Sequence, residues 1–133
     1  MLLGNFFDIQ LLTIGDVIEA QQKCSAIAAL NCNHPIYEGH FQGNPVVPGV
    51  CQVQMVAEIV EIIVNHPIKL TTSDNIKFLS MINPMVNPLL TFEIVIRHNP
   101  DQCFSVTASV QTGAILFFKF KGKFESVEKC QGN

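Results

Sequence analysis

The segment from Pro48 to Asn65 decides what this chain can fold into. Pro48 opens it, VCQVQMVAEIVEIIV follows without a glycine or proline, and Asn65-His66-Pro67 closes it, which is the punctuation of one helix. At the helical repeat Gln54, Glu58, Glu61 and Asn65 fall within about 60° of one another, and nearly every other position except Gln52 is apolar. A helix apolar around most of its girth has to be buried, and the remaining chain supplies strands to bury it. Residues 20–30 have few breakers and read as a strand, and four strand-like runs follow the helix at 75–82, 89–97, 103–111 and 115–124. Asn83-Pro84, Asn87-Pro88, Asn99-Pro100 and Gly113 separate them. Strand, loop, long helix and then consecutive strands able to pair as an antiparallel meander form an α+β pattern. The expected architecture is an antiparallel sheet wrapped around a long central helix.

A chain of 133 residues fits one domain, here 1–133, with a ragged end at 128–133. Hydrophobic residues make up 48% and charged residues 14%, which excludes disorder and leaves more apolar surface than one small globule can hide. An oligomer is therefore expected. The net charge of −3 argues against nucleic-acid binding. Cys24, Cys32, Cys51, Cys103 and Cys130 form no CxxC pair, so they read as reduced thiols of a cytoplasmic protein, with neither a zinc site nor a redox motif. The apolar N-terminus has no basic region and contains Asp8, which makes it a poor signal peptide. No apolar run reaches the roughly 18 residues of a membrane span.

Between the first strand and the helix lie residues 31–48, with three prolines and two glycines, which must be loop. Within it stands Gly39-His40-Phe41-x-Gly43-x-Pro45-x-x-Pro48-Gly49. This stretch resembles the signature of the bacterial β-hydroxyacyl-ACP dehydratases of the FabA/FabZ type, with three glycines and two prolines in register. Ile76-Lys77-Phe78 followed by Asn87-Pro88 is similar to that family's Lys-Phe strand and the turn after it, without the usual Pro-Gly-Asp. The resemblance implies a hot-dog fold and elimination of water from a 3-hydroxyacyl thioester carried by ACP, or by CoA, to give the 2-enoyl thioester.

That reaction needs a base for the C2 proton, an acid for the departing hydroxyl, and stabilisation of charge on the thioester oxygen. Histidine suits proton abstraction because its ordinary pKa lies near neutrality. Pro48-Gly49 opens the helix, so the Gly49 N–H is a free donor at the positive end of the helix dipole, and glycine permits close approach. The resemblance carries these two roles onto His40 and Gly49, and places Phe41 and Val50 beside the substrate. The third role departs from the family, which has Glu or Asp fourteen residues after the histidine. Here that residue is Gln54, which cannot serve as acid or base, while the carboxylate stands one turn later at Glu58. Glu58 is the candidate second catalytic residue, acting directly on the hydroxyl, through Gln54, or through a water. Gln54 is the candidate ligand of the substrate hydroxyl.

Other residues read more plainly. His34 and Tyr37 pack the loop, His66 and His98 punctuate turns, and Cys51 is a packed thiol. Lys119, Lys121 and Lys123 alternate with phenylalanines on one strand face, a solvated face by default and a patch for an acidic carrier protein as the alternative. Besides a dehydratase, two readings stay open: a non-catalytic acyl-ACP binding or partner subunit, and a hot-dog thioesterase. The family's site is built across two protomers, which implies a homodimer or a higher oligomer, with His40 of one chain facing Gln54 and Glu58 of the other. No metal and no diffusible cofactor is expected. Chelator treatment should leave activity unchanged; a loss that zinc restores would contradict this.

Overall fold

A computed structural model of the protein describes residues 1–38 and 43–127. Two strands, β1 (Phe7–Ile18) and β2 (Gln21–Leu30), precede a single 3-10 turn at Pro35–Tyr37. The helix α1 spans Gly49–Val64, and β3 (Ile68–Phe78), β4 (Leu89–Asn99), β5 (Cys103–Thr112) and β6 (Ile115–Ser126) follow. The six strands form one antiparallel sheet in the order β1-β2-β4-β5-β6-β3. One long helix lies against it, which is the hot-dog arrangement.

The helix begins and ends where its residues require. Pro48, at φ −61° and ψ 146°, is the N-cap, and a proline there sacrifices no intrahelical hydrogen bond. Asn65 takes the left-handed conformation at φ 55° and returns its N–H to Glu61 and Ile62, closing the last turn. Cys51, Met55, Val56, Ile59, Val60 and Ile63 face the sheet and are buried.

The sheet meets them with a period of two. Ala26 and Ala28 of β2, Leu90, Phe92, Ile94 and Ile96 of β4, Val106, Ala108 and Val110 of β5, and Phe118, Phe120 and Phe124 of β6 point inward and are buried. Small residues stand beside large ones across the ladder: Ala26 pairs with Phe92, Ile94 with Ala108, and Ala108 with Phe120. That alternation lets side chains interdigitate while the sheet curls over the helix. On β6 the intervening Lys119, Lys121 and Lys123 are exposed, as their alternation with phenylalanine requires.

The structure corrects three expectations. Residues 7–18 form a strand that the sequence pattern conceals, because a bulge between Ile14 and Val17 breaks the alternation. Gly15 sits in that bulge, where a Cβ would collide with the Lys23 carbonyl of β2, so the two backbones approach only because the residue is glycine. The first strand after the helix runs over Ile68–Phe78 instead of 75–82; its Thr71-Thr72-Ser73-Asp74 centre looks like loop but lies on an exposed sheet edge. That strand also pairs with β6, not with its successor β4, so only β4, β5 and β6 form a meander. The connection 79–88, with Pro84 and Pro88, is too long and too proline-rich for a hairpin and carries the chain to the other side of the sheet. The expected ragged end at 128–133 lies outside the described residues.

Coverage of the helix is one-sided. Val50 is 76% exposed, Gln54 is exposed, and Val53, Ala57, Glu61 and Val64 on the same face are half-buried. Among the described residues no helix is long and apolar enough to cross a membrane.

Ile59 is fully buried midway along α1. Replacing it with alanine should lower unfolding stability by about 2–5 kcal/mol, read from the denaturant midpoint at unchanged m-value.

Candidate active site at the start of the helix

Among the described residues, neither Gly49 nor Val50 has a backbone acceptor for its N–H; the first N–H groups engaged are those of Cys51 and Gln52, which donate to the Pro48 carbonyl at 3.0 and 3.2 Å. Two donors therefore stand without an acceptor among the described residues at the positive end of the helix dipole, as the sequence anticipates for Gly49. Beside them opens a cavity of about 470 Å³ lined by Val46, Val47, Gly49, Gln52 and residues 78–81. Phe78 forms one wall. Its ring lies so close over Gly49 that a Cβ there would come within 2.6 Å of Cζ, and it stacks on Phe118 at 5.1 Å between centroids. Glycine at position 49 is what lets the ring settle over the helix start.

About two and a half turns further along, Glu58 is only 5% exposed, and both of its carboxylate oxygens accept hydrogen bonds. Leu2 N–H donates to Oε2 at 2.7 Å, Leu3 N–H to Oε1 at 2.8 Å, and Gln54 Nε2 to Oε2 at 2.8 Å. The i, i+4 spacing that the sequence displays thus becomes a direct hydrogen bond between Gln54 and Glu58. One Nε2 hydrogen is committed to the carboxylate, so the Gln54 side chain has its second N–H and Oε1 left to offer, and Oε1 accepts from no described residue. Helix position 54 therefore presents an acceptor. Glu61, on the same polar stripe, accepts from Ile68 N–H at 3.1 Å and so pins the start of β3 to the helix.

His40 and Phe41 lie outside the described residues, so the structure tests neither. It does place Gly49, Val50, Gln54 and Glu58 along the first three turns of one helix. The partners of Glu58 were not legible, because Leu2 and Leu3 engage it through backbone N–H groups that any residue type would supply.

The flanking residues behave as packing. His34 Nδ1 accepts from Ile36 N–H at 3.1 Å, and its ring meets Phe6 edge-on at 5.3 Å. Burial pushes the Tyr37 phenol well above the ordinary tyrosine range, with Cys51 and Cys32 adding to the effect, and its hydroxyl finds no hydrogen-bond partner among the described residues. Burial likewise pushes the Cys51 thiol up. His98 is a strand residue rather than a turn residue: it closes the end of β4, bonded to Gln22 Oε1 at 2.8 Å. Among the described residues no group of His, Cys, Asp and Glu has the geometry to hold a metal ion.

Residues 17–117 match the ApeI-like family, described as ApeI dehydratase. A 3-hydroxyacyl-[acyl-carrier-protein] dehydratase FabZ of Zymomonas mobilis subsp. mobilis is 34% identical over 81 residues, covering 61% of this chain and 51% of that protein. The chain thus spans about half the length of this curated relative. Among solved structures, an uncharacterized protein from Erwinia carotovora subsp. atroseptica superposes with a TM-score of 0.66 at 17% identity, covering 92% of this chain and 97% of that one. The dehydratase heterocomplex ApeI:P from Xenorhabdus doucetiae superposes with a TM-score of 0.60 at 16% identity, covering 87% and 95%. These structural likenesses establish the shared fold.

Two outcomes follow from the geometry. Glu58→Ala leaves three N–H donors without their acceptor and should cost about 2–3 kcal/mol of stability, with faster hydrogen exchange at Leu2 and Leu3. Iodoacetamide at pH 8 should alkylate the exposed Cys32 well before Cys51, as read by peptide mass spectrometry; the reverse order would show Cys51 to be an activated thiol.

Proposed function

The chain belongs to the ApeI-like family of dehydratases, and from that premise we propose that it eliminates water from a 3-hydroxyacyl thioester carried by ACP. In this reading His40 removes the C2 proton and the free Gly49 N–H receives the thioester oxygen as negative charge develops on it. Gln54 Oε1 accepts the hydrogen of the substrate hydroxyl, and Phe41 and Val50 flank the acyl thioester. Glu58 acts through Gln54 by holding its amide in place, one of the routes open from the sequence, and the His40 imidazolium returns the abstracted proton to the hydroxyl, which departs as water. Its two oxygens accept three N–H donors, one of them from that amide. The observation that carries the reading is the N–H pair of Gly49 and Val50, unpartnered among the described residues, beside an apolar cavity at the end of the dehydratase-like motif.

A second reading is favoured by one specific feature. Gln54 has no proton to give the departing hydroxyl, so the chain also fits a binding or partner subunit to which another chain brings the carboxylic acid. The uncovered face at Val50, Val53, Gln54, Ala57 and Val64 supports a dimer under either reading, because a half-apolar helix face beside an active site calls for a second chain.

Purified protein mixed with 3-hydroxyacyl-ACP should yield 2-enoyl-ACP, and His40→Ala should lower the rate by about 10²–10⁴. Glu58→Gln should lower turnover while leaving acyl-ACP affinity near that of the wild type. An inactive wild type that gains dehydration through Gln54→Glu would instead establish the partner-subunit reading. Light scattering should give a dimer at micromolar concentration; a stable monomer would remove the shared site.

A further inference from the structure

The outer face of the sheet gathers positive charge that the described residues do not balance. Of the eight basic residues seven are described, and their ladder partners place all seven on the face turned away from α1. Lys119, Lys121 and Lys123 recur about every 7 Å along β6, and Lys77 lies directly across the ladder from Lys119, about 5 Å away. Lys23 and Arg97 extend the cluster onto β2 and β4, and all six side chains are exposed. The seventh, Lys69, pairs with Glu125 at 3.3 Å, and no other ion pair forms among the described residues. Glu93, and Asp8 on the far edge strand, are the carboxylates left on the same face. Like charges set opposite one another on neighbouring strands destabilise a sheet. Because the whole chain carries −3, this face comes from segregation of charge, not from a basic composition, and it draws polyanions to one side of the molecule.

The residues between the cations say which polyanion. Asn75, Thr107 and Ser109 join Lys119 and Lys121 around a shallow cavity of about 350 Å³, with Glu93 on its β4 side. Two ammonium groups and three neutral donors make a seat for phosphate oxygens. Among the described residues no exposed aromatic ring stands on this face, so single-stranded nucleic acid finds nothing to stack on. A broad six-stranded sheet cannot enter a duplex groove. Lysine and serine without aromatic anchors are also the composition that specific protein interfaces avoid. A bilayer requires neither rings nor grooves. It offers a field of phosphates to long lysine stems, which reach past the curve of the sheet.

We propose that this outer face docks on the surface of a bilayer rich in anionic phospholipid, with a headgroup phosphate held between Lys119 and Lys121. The helix lies on the opposite side of the sheet, so docking leaves its face and the residues of the proposed reaction untouched. The inference goes beyond that reaction and does not rest on it.

Co-sedimentation with vesicles is the test. At about 0.1 M salt the protein should pellet with phosphatidylcholine vesicles containing about one-third phosphatidylglycerol, and be released at about 0.5 M salt as the charges are screened. With phosphatidylcholine alone it should stay in solution. Each basic residue near an anionic surface raises partitioning about fivefold, so the double substitution Lys119→Gln and Lys121→Gln should lower it roughly 25-fold. Glu93→Gln, which removes an opposing charge from the same cavity, should raise it by about fivefold on the same scale. A wild type that ignores the anionic vesicles, or binds both kinds alike, overturns the proposal, as does binding that survives the double substitution. So does a wild type that leaves vesicles in solution but binds purified acyl carrier protein through Lys119 and Lys121, which gives the face to an acidic protein. Should the double variant misfold, Glu93→Gln decides alone, and the absence of a gain overturns the proposal. Turnover of 3-hydroxyacyl-ACP in free solution is a separate measurement, so the dehydratase reading stands or falls without this one.

Discussion

Everything in this fold depends on removing one helix face from water. Met55, Val56, Ile59 and Val60 are fully buried, and each such side chain contributes about 1.5–3 kcal/mol when it leaves solvent. No flat sheet can cover them all; the strands must curl, and the pairing of Ala26 with Phe92 and of Ala108 with Phe120 gives the sheet room to do so. Because the core fixes the rotation of α1, it also fixes which residues remain on the far side. Val50 and Gln54 are presented at the open face because Cys51, Met55 and Ile59 are held down.

That arrangement explains how the candidate site can be built from few charges. The polar groups near the helix start act mostly through orientation. Glu58 holds the Gln54 amide, Val47 holds the Gln52 amide, and in each case the amide oxygen has no donor among the described residues. Two fixed amides and two free N–H groups give the site a definite pattern of donors and acceptors, with the nearest carboxylate turned inward toward backbone N–H groups.

The sequence made the helix, its boundaries and the meander β4-β5-β6 legible, because those rest on local rules: a proline cap, an asparagine stop, alternation with a period of two. It concealed β1 and most of β3. In β1 the alternation slips at the Gly15 bulge, and in β3 the residues face solvent along an edge, so no apolar rhythm marks them. The docking of β3 against β6 depends on a crossing of the connection at 79–88, which no window of residues encodes. The candidate site divides along the same line. The Gln54–Glu58 pair is written in the i, i+4 spacing. The grip on Leu2 and Leu3 and the orphan oxygen of Gln52 arise only when distant segments meet.

The bonds from Leu2 and Leu3 to Glu58 close a span of 56 and 55 residues along the chain, and the β3–β6 ladder closes another of about the same size. Ordering such long spans is slow compared with forming a hairpin or a helix turn. The segment at Leu2 and Leu3 must therefore wait for α1 to be in place before it has anything to hold. Until then the Glu58 carboxylate is exposed to water and the Gln54 amide can rotate freely. The geometry of the site is fastened by a part of the chain that lies 55 and 56 residues from Glu58 in sequence.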